Sequence, residues 1–335
     1  MRQLSARGHD VLFLERDVPW YSGNRDLPNP PYGRTELYTS LADLKDRFAA
    51  DVREADMVIL GSYVPEGVEV GEWVVATAHG ATAFYDIDTP VTLAKLDAED
   101  FEYLSPRLIP KYSLYLSFTG GITLERLEKR YGAQRACALY CSVDADLYTP
   151  VECGIKWDLG YLGTYSSDRQ LALKKLMLDP AENWNEGRFI VAGPMYPETV
   201  NWPGNVQRVD HLPPADHSSF YCSQRFTLNI TRADMVKAGY SPSVRIFEAA
   251  ACGVPIISDW WQGLDAFFEL DTEILISRSP QDTLRYLTEI TDEERRRIGE
   301  SARIRVLEEH TSAHRAEELE EHARKILGAI PAKAR

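Results

Sequence analysis

The chain has 335 residues, of which 44% are apolar and 26% are charged, and its formal net charge is −14. This length and composition are typical of a globular protein of about two domains. The acidic balance argues against a non-specific nucleic-acid binder, whose affinity comes from a basic surface that neutralises phosphates. A small anionic ligand is not excluded, because a few local cations suffice to hold it.

The sequence carries no sign of a membrane or of an oxidising compartment. No segment approaches the roughly 18 consecutive apolar residues of a membrane span, and no signal peptide opens the chain. Its five cysteines are odd in number and include no CxxC pair. That usage is typical of free thiols in a reducing cytosol and does not predict a metal site. We therefore expect a cytoplasmic protein without a membrane span.

Strand and helix signals alternate from the start of the chain. Residues 1–7 are typical of the last turns of a helix that stops at Gly8, and a strand follows from about Val11. An α/β domain normally has a strand ahead of its first helix. We therefore expect either that the first strand is missing from this chain or that the fold begins in an unusual place. A Pro- and Gly-rich stretch, residues 17–36, then predicts a long loop without regular structure.

The rest of the chain continues this alternation. In the first half we expect helices over 37–55, 67–78 and 122–132 and strands near 56–63, 82–90, 112–121 and 135–141. In the second half we expect a strand, turn and helix within 157–178, strands near 188–197, 226–232, 254–259 and 273–279, and helices within 208–224, over 243–252 and from 281 onward. This pattern predicts two doubly wound parallel-sheet domains, in which ligands lie beyond the carboxyl ends of the strands.

The segment SVRIFEAAACGVPIISD, residues 243–259, carries the main candidate site. Ser241 and Pro242 predict the N-cap and first position of its helix. A helix N-terminus stabilises an anion, and Arg245 strengthens that, so a diphosphate can sit there while Glu248 accepts hydrogen bonds from ribose or sugar hydroxyls. The alternative is an Arg245–Glu248 ion pair on a solvated face, worth a few tenths of a kcal/mol.

Polar residues directly after the preceding strand point to the same place. Asn229, Thr231 and Arg232 fall where a parallel strand ends and face the start of the helix. This polar group predicts a phosphate cradle in which Arg232, Ser243 and Arg245 hold the diphosphate together with the helix N-terminus.

These segments also resemble a known family. RIFEAAACGVPIISDWWQGLDAFFE resembles the signature segment of group-1 glycosyltransferases of the GT-B fold, and FTLNITRADMVKAGYSPSVRIFEAAACG resembles the CgeB-like (spore maturation) branch of those enzymes. GHDVLFLERD and FYDIDTPVT in the first half are similar to the same branch. The resemblance implies an α/β GT-B fold of two Rossmann-like domains facing a cleft. It implies a donor nucleotide held mainly by the second domain, an acceptor facing the first, and last helices that return to the first domain.

The resemblance assigns roles to single residues. Glu248 matches the second Glu of the family's E-x7-E pattern, which is expected to bind the donor ribose, whereas Tyr240 stands in place of the first. Gly163 lies where the family has its Gly-rich turn after the first strand of the donor domain, and Arg169 stands for the basic residue that follows. The departure at Tyr240 leaves the identity of the transferred sugar open.

The first half offers candidates for the acceptor side. Asp86 and Asp88 form an Asp-x-Asp pair, which in GT-A glycosyltransferases binds a divalent cation, but a two-sheet architecture favours GT-B, which needs no metal. We expect Asp88 to act as acceptor ligand or base; the alternative is a strand-end acid that caps the next segment. His79 lies in a turn of small residues and is a second candidate base; the alternative is a structural histidine.

Together these patterns predict a metal-independent, cofactor-free enzyme of the hexosyltransferase type. It moves a sugar from a nucleotide-diphosphate sugar to a hydroxyl acceptor that the sequence does not identify. The predicted boundaries are 1–152 for the acceptor-side domain, 153–305 for the donor domain and 306–330 for the returning helix. Two alternatives stay open: a sugar-nucleotide 2-epimerase of the same fold, and a degenerate, non-catalytic protein that binds sugar or nucleotide. Tyr240 and the missing strand favour the last.

Overall fold

The computed structural model describes residues 1–19, 25, 27 and 29–328. The chain divides into two compact units, one formed by Met1–Tyr140 together with Ala313–Arg335 and the other by Cys141–Ser312. The predicted boundaries lie instead at 152 and 305, and the predicted end at 330 lies outside the described residues. Within the described part of the chain, no helix is both long and apolar enough to cross a membrane.

The first unit is built from parallel strands joined by helices. Its strands are β1 Leu12–Arg16, β2 Arg34–Tyr38, β3 Met57–Gly61, β4 Ala81–Asp86, β5 Leu114–Ser117 and β6 Ala136–Ala138. Its helices are α1 Arg2–Ala6, α2 Leu41–Glu54, α3 Gly67–Thr77, α4 Thr89–Asp97 and α5 Ile122–Lys129. The last described helix, numbered α13 below, joins them.

The described residues of this unit form two separate sheets. Among them β1 pairs with β2 alone, and the other four strands form a sheet in the order β3-β4-β5-β6, with every pair parallel. One face carries a large core that includes Leu60, Phe84 and Tyr115, and Leu12 and Leu14 of β1 pack against that same core. The opposite face of the four-stranded sheet is covered by Leu319 and Ile326 of α13 and their neighbours.

The second unit has one continuous sheet. Its strands are β7 Trp157–Leu162, β8 Phe189–Ala192, β9 Val206–Val209, β10 Gln224–Asn229, β11 Ile256–Ser258 and β12 Ile274–Ile276. Its helices are α6 Gln170–Leu173, α7 Asp179–Asn183, α8 His217–Cys222, α9 Ala233–Ala238, α10 Val244–Ala251, α11 Pro280–Glu289 and α12 Asp292–Glu309, and α13 Ser312–Leu327 follows. All six strands are parallel, in the order β12-β11-β10-β7-β8-β9.

The apolar strands of the second unit are buried on both sides, as parallel sheets require. Phe226, Leu228 and Ile257 are 0% exposed, and the helical segments on either side of the sheet supply the rest of the core. The α/β class and the parallel sheets that the sequence predicts are therefore confirmed.

Several local expectations are corrected. Residues 34–36, predicted as loop, and residues 37–38, predicted as helix, belong to β2, and residues 208–209, predicted as turn and helix, belong to β9. The helix of the candidate site begins at Val244 with Ser243 at the N-cap position, two residues later than Ser241 and Pro242 indicate. Residues 20–24, 26 and 28 of the predicted loop lie outside the described residues.

Candidate functional site

The carboxyl edge of the second sheet gathers most of the predicted site residues. β10 ends at Asn229, and α10 starts after Ser243 and stops at Gly253, which adopts the left-handed conformation (φ +70°) that a helix end favours. The Ser243 hydroxyl donates to Asn229 Oδ1 at 2.8 Å, so the start of α10 is tied to the end of β10.

Arg245 is turned into the molecule and is only 8% exposed. Its Nε donates to the carbonyl oxygen of Leu162 at the end of β7, and its Nη1 donates to Asn229 Oδ1 at 2.8 Å. The guanidinium also lies over the Tyr161 ring, 4.8 Å from the ring centre. Arg245 therefore joins the ends of two neighbouring strands, and its positive charge lies beneath the N-terminus of α10.

Asn229 is fully buried, and both ends of its amide are engaged. Its Oδ1 accepts from Ser243 and Arg245, and its Nδ2 donates to Ser258 at 2.9 Å. In the structure Asn229, predicted to contact the donor, positions Ser243 and Arg245.

The loop after β10 is held by acids from two other loops. Asp259, which follows β11, accepts from the backbone N–H of Thr231 at 3.0 Å and from its hydroxyl at 2.9 Å. Asp168 accepts from the backbone N–H of Ala233 and lies 3.8 Å from Arg232 Nε. Arg232 is thus placed at the same edge, with its guanidinium beside the loop that follows β7.

Gly163, the first residue after β7, lies where any larger side chain would displace two buried neighbours. A Cβ there would lie 2.6 Å from Tyr161 Oη and 2.9 Å from Arg245 Nη2. From the other side, Gly193 approaches so closely that its own Cβ would lie 2.2 Å from the Gly163 oxygen, and its φ is +141°. The two loops therefore meet backbone to backbone, and the Tyr196 hydroxyl donates to the same oxygen at 3.1 Å.

Arg169 closes this loop. Its Nη2 donates to the carbonyl oxygen of Thr164 at 2.7 Å, within the same loop that contains Gly163. Arg169 and Arg232 therefore lie on the two loops that Asp168 connects, and with the buried Arg245 this edge carries three arginines.

Glu248 lies one turn into α10 and does not pair with Arg245. Its Oε2 accepts from the Tyr221 hydroxyl at 2.9 Å, and Tyr148 also faces it: burial first, and then the Glu248 carboxylate, raise the pKa of Tyr148. The Tyr148 hydroxyl is in turn 3.1 Å from His217 Nδ1. The exposed Arg245–Glu248 ion pair is therefore not what the structure shows, because each side chain has other partners.

Tyr240, which stands in place of the family's first Glu, has an unusual backbone. Its φ is +46°, a region that bulky residues rarely adopt. Its backbone N–H donates to the Gln262 carbonyl oxygen at 2.7 Å, and its ring packs against Gly263 so closely that a Cβ there would lie 2.4 Å away. Strain of this kind, just ahead of α10, is typical of functional loops.

In the first unit, Asp86 and Asp88 follow the carboxyl end of β4. Asp86 is fully buried and accepts from the Tyr115 hydroxyl at 2.6 Å and the Thr92 hydroxyl at 2.8 Å. Burial raises the pKa of Asp86 to about 6, against the opposing effect of those hydrogen bonds. Asp88 stands at the N-cap position of α4 without capping it through its side chain, and it accepts from the Tyr63 hydroxyl at 2.8 Å.

His79 is not brought to that edge. His79 precedes β4, whereas Asp88 follows that strand. His79 lies in the turn after α3, and its backbone N–H donates to the carbonyl oxygen of Arg53 in α2. A six-residue strand separates its ends by about 20 Å. The two predicted catalytic residues therefore lie at opposite edges of one sheet.

The structure thus brings together Gly163, Arg169, Arg232, Ser243, Arg245 and Glu248, with Asn229 as their support. Sequence reasoning missed Tyr221, Tyr148 and Gly193. Gly193 directly follows an apolar strand, which is a signal that the sequence contains. Nothing in the sequence marks Tyr221 or Tyr148 as a partner of Glu248. Among the described residues, no three His, Cys, Asp or Glu side chains are grouped as metal ligands.

Comparisons with known proteins agree with this architecture. Residues 169–321, which include α10 and the loop after β10, match the sequence profile of a family described as glycosyl transferase-like. No curated protein matches the chain in sequence.

Solved structures match nearly the whole chain. Sucrose-phosphate synthase from Thermosynechococcus elongatus has a TM-score of 0.68 and 14% identity and covers 98% of this chain and 93% of its own. Anabaena HepE in complex with UDP and glucose has a TM-score of 0.66 and 12% identity, over 93% of this chain and 98% of its own. Phage T4 BGT in complex with UDP-glucose has a TM-score of 0.63 and 12% identity, over 97% of this chain and 91% of its own. The fold is GT-B, as the sequence predicts.

Proposed function

We propose that the protein is a glycosyltransferase that moves a sugar from a UDP-sugar to a hydroxyl acceptor. The observation that carries the proposal is the carboxyl edge of the second sheet, where the start of α10 with Arg245, the Gly163 loop and Glu248 lie together. The glycosyl transferase-like match over residues 169–321 supports it, and two structural neighbours were solved with UDP or UDP-glucose. The resemblance to the CgeB-like branch remains part of the proposal.

The donor is assigned to the second unit. The diphosphate lies at the N-terminus of α10, where unpaired N–H groups and the charge of Arg245 stabilise an anion. Gly163 lets the backbone approach the phosphates, and Arg169 and Arg232 neutralise them. Glu248, oriented by Tyr221, accepts hydrogen bonds from the ribose hydroxyls.

The chemistry follows from this placement. The acceptor oxygen bonds to the anomeric carbon, the bond to the diphosphate breaks, and the leaving UDP keeps the electron pair. Fixed positive charge around the leaving diphosphate is then the main catalytic effect. On the first unit, Asp88 is the residue assigned to receive the acceptor proton. Its carboxylate accepts a hydrogen bond from Tyr63 and does not cap α4. His79 is left out because it lies at the other edge of that sheet.

Calorimetric titration with UDP, GDP, TDP and CDP in the presence of EDTA tests the donor assignment. We expect saturable UDP binding, reduced about tenfold in Glu248→Gln, which loses one charge-assisted hydrogen bond to ribose. Glu186→Gln, at an exposed glutamate of the same unit, is the matched control. Equal UDP affinity in both variants would remove Glu248 from the site.

Turnover separates the proposal from its alternatives. A glycosyltransferase releases UDP from UDP-glucose, faster when an acceptor is present. A 2-epimerase changes the sugar without needing an acceptor, and a binding protein consumes no donor. UDP binding without donor consumption across an acceptor screen would contradict the enzyme and favour the binding protein.

A further inference from the structure

Asp86 is a fully buried acid in the first unit that the proposed reaction does not use. It lies two residues before Asp88, to which that reaction assigns the acceptor proton. Its Oδ1 accepts from the Thr92 hydroxyl at 2.8 Å and from the backbone N–H of Asp88 at 3.2 Å, and its Oδ2 accepts from the Tyr115 hydroxyl at 2.6 Å. A buried carboxyl with three donors and a second acid beside it calls for an explanation beyond packing.

Three hydroxyl groups connect Asp86 to Asp88. The Thr92 hydroxyl, which donates to Asp86, is 2.8 Å from the Tyr103 hydroxyl. At the other end, the Tyr63 hydroxyl donates to Asp88 Oδ2 at 2.8 Å. The ring centres of Tyr63 and Tyr103 are 4.8 Å apart; burial raises the pKa of Tyr103, and its hydrogen bond with the Tyr63 hydroxyl acts in the opposite direction. We call these three hydroxyls, of Tyr63, Tyr103 and Thr92, the hydroxyl bridge.

The hydroxyl bridge has more links than it has hydrogens. The four links join Asp88, Tyr63, Tyr103, Thr92 and Asp86 in that order. Each hydroxyl supplies one hydrogen, so when both carboxyls are ionised one of the four links has none. Because Tyr63 donates to Asp88 and Thr92 donates to Asp86, that link lies between the two tyrosines. One proton on either carboxyl fills all four links.

This extra proton can be held at either end of the bridge. When Asp88 holds it, each group donates to the next in the direction of Asp86, and when Asp86 holds it, all four hydrogen bonds point the other way. Each hydroxyl loses one hydrogen and gains another in the change, so all three stay neutral. Burial first, and then the Asp88 carboxylate, raise the pKa of Tyr63. Burial likewise raises that of Tyr103, so both tyrosines pass a proton on without staying ionised.

We propose that Asp86 and Asp88 share one proton through the hydroxyl bridge, so that a proton received at Asp88 is moved to Asp86. The source of the proton rests on the proposed function. The acceptor O–H bond breaks, its electron pair forms the bond to the anomeric carbon, and its proton enters at Asp88. Asp88 is then ionised again while Asp86 holds the proton in the interior. The proton returns to water through Asp88 after the product has left, so both carboxyls end as they began.

The surroundings of Asp86 are suitable for a temporary proton store. Burial raises the pKa of Asp86 to about 6, so its carboxyl is ionised at neutral pH and takes up a proton at small cost. Besides the groups already named, one cation faces the bridge. The Lys95 ammonium lies 5.4 Å from the centre of the Tyr103 ring and pairs with Glu102 and Asp100.

Carbon-13 NMR of the aspartate carboxyls as a function of pH tests the shared proton without any substrate, with Asp86→Asn to identify the signal. The main variant is Tyr63→Phe, which leaves Asp86 and its hydroxyl donors in place and removes the far end of the bridge. We expect the titration midpoint of Asp86, about 6 in the unmodified protein, to fall by about one pH unit, a tenfold change in proton affinity. The reason is that the protonated form loses the last acceptor of the bridge, whereas the ionised form does not use it.

Two further variants make this result specific. Tyr112 lies in the same core as Tyr103 and outside the hydroxyl bridge, so Tyr112→Phe is the matched control and should leave the Asp86 midpoint unchanged. Thr92→Val keeps the side-chain shape and cuts the bridge beside Asp86. In that background Tyr63→Phe should no longer move the midpoint, because the effect has to pass through Thr92.

A kinetic measurement connects the bridge to sugar transfer. Tyr63→Phe should lower kcat about tenfold and leave the KM for the UDP-sugar unchanged, whereas Tyr112→Phe should change neither value. If the unmodified protein transfers no sugar, the proposed function fails, and the NMR titration still decides whether the two acids share a proton.

Three outcomes would overturn the proposal. One is an Asp86 midpoint that is the same in the unmodified protein and in Tyr63→Phe. Another is an equal shift from Tyr63→Phe with and without Thr92→Val, which would mean that Tyr63 acts on Asp86 by another route. The third is an active enzyme in which Tyr63→Phe leaves kcat unchanged, which would remove the acceptor proton from the bridge.

Discussion

The two units share a plan but differ at the centre of their sheets. In the second unit the central strand β7 is paired on both sides, with β8 and β10. In the first unit β1 and β3 each have one unpaired edge among the described residues. The carboxyl edges differ as well. The second carries a buried cation, Arg245, and the first carries a buried acid, Asp86. An apolar strand therefore contributes to stability according to its neighbours and not according to its sequence alone.

The largest difference should appear in the strands themselves. Ile257 in β11 is 0% exposed, so Ile257→Ala should lower the free energy of unfolding of its unit by about 4 kcal/mol. Ile59→Ala in β3 should cost less than about 1 kcal/mol, because the side chain is already partly in water. Hydrogen exchange in each unit, measured against denaturant, gives both values. Equal losses would break the comparison between the two sheets.

The second prediction concerns the buried cation. Arg245→Ala removes two charge-assisted hydrogen bonds, to Leu162 and Asn229, and leaves both acceptors buried. We expect the free energy of unfolding of the second unit to fall by about 3–4 kcal/mol. The loss should be smaller for Arg245→Lys, which keeps the charge but not the several N–H donors of the guanidinium. Arg278→Ala, at an exposed arginine of the same unit, should stay within about 0.5 kcal/mol of the unmodified protein.

The third prediction concerns the buried acid. The pKa of Asp86 is raised to about 6 from an ordinary value of 3.8, so between those pH values the folded protein holds a proton that the unfolded chain has lost. Stability from this group is therefore full below about pH 4 and falls as pH rises to about 6, by about 3 kcal/mol in all. Asp86→Asn should remove this step, seen as a flatter pH dependence of unfolding in the first unit.

Asp56→Asn, at an exposed aspartate beside β3, is the control for this measurement and should keep the step. If Asp86→Asn and the unmodified protein show the same pH dependence, Asp86 is not the group that responds.

Much of the fold was predictable because apolar runs separated by Gly and polar residues report buried parallel strands directly. β2 was not predictable, since RTELY has no apolar run and becomes a strand only by pairing with β1. The helix with Glu248 was found from its sequence, but the burial of Arg245 was not. A helical wheel places Arg245 with polar residues, and only the tertiary fold shows that the wheel's polar side faces the ends of β7 and β10.

The partners of Glu248 illustrate a second limit. Tyr221 lies in α8 and Tyr148 in a loop, and both reach Glu248 through the packing of distant segments. The separation of His79 and Asp88, by contrast, was already present in the sequence, because one precedes and the other follows the same strand. Strand direction and strand position together predict that the two residues lie at opposite edges of the sheet.

The smallest effect comes from the glycine at the carboxyl end of each sheet. Gly163→Ala places a methyl group 2.6 Å from Tyr161 Oη and 2.9 Å from Arg245 Nη2, so one of these buried groups must move. We expect a loss of about 1–3 kcal/mol, measured by denaturation of the second unit, and weaker UDP binding in the same titration. Gly61→Ala, at the end of β3, meets nothing within 4 Å and should be neutral or slightly stabilising. If Gly61→Ala lowered the free energy of unfolding more than Gly163→Ala, the space beside Gly61 would be occupied, and this contrast between the two sheets would be wrong.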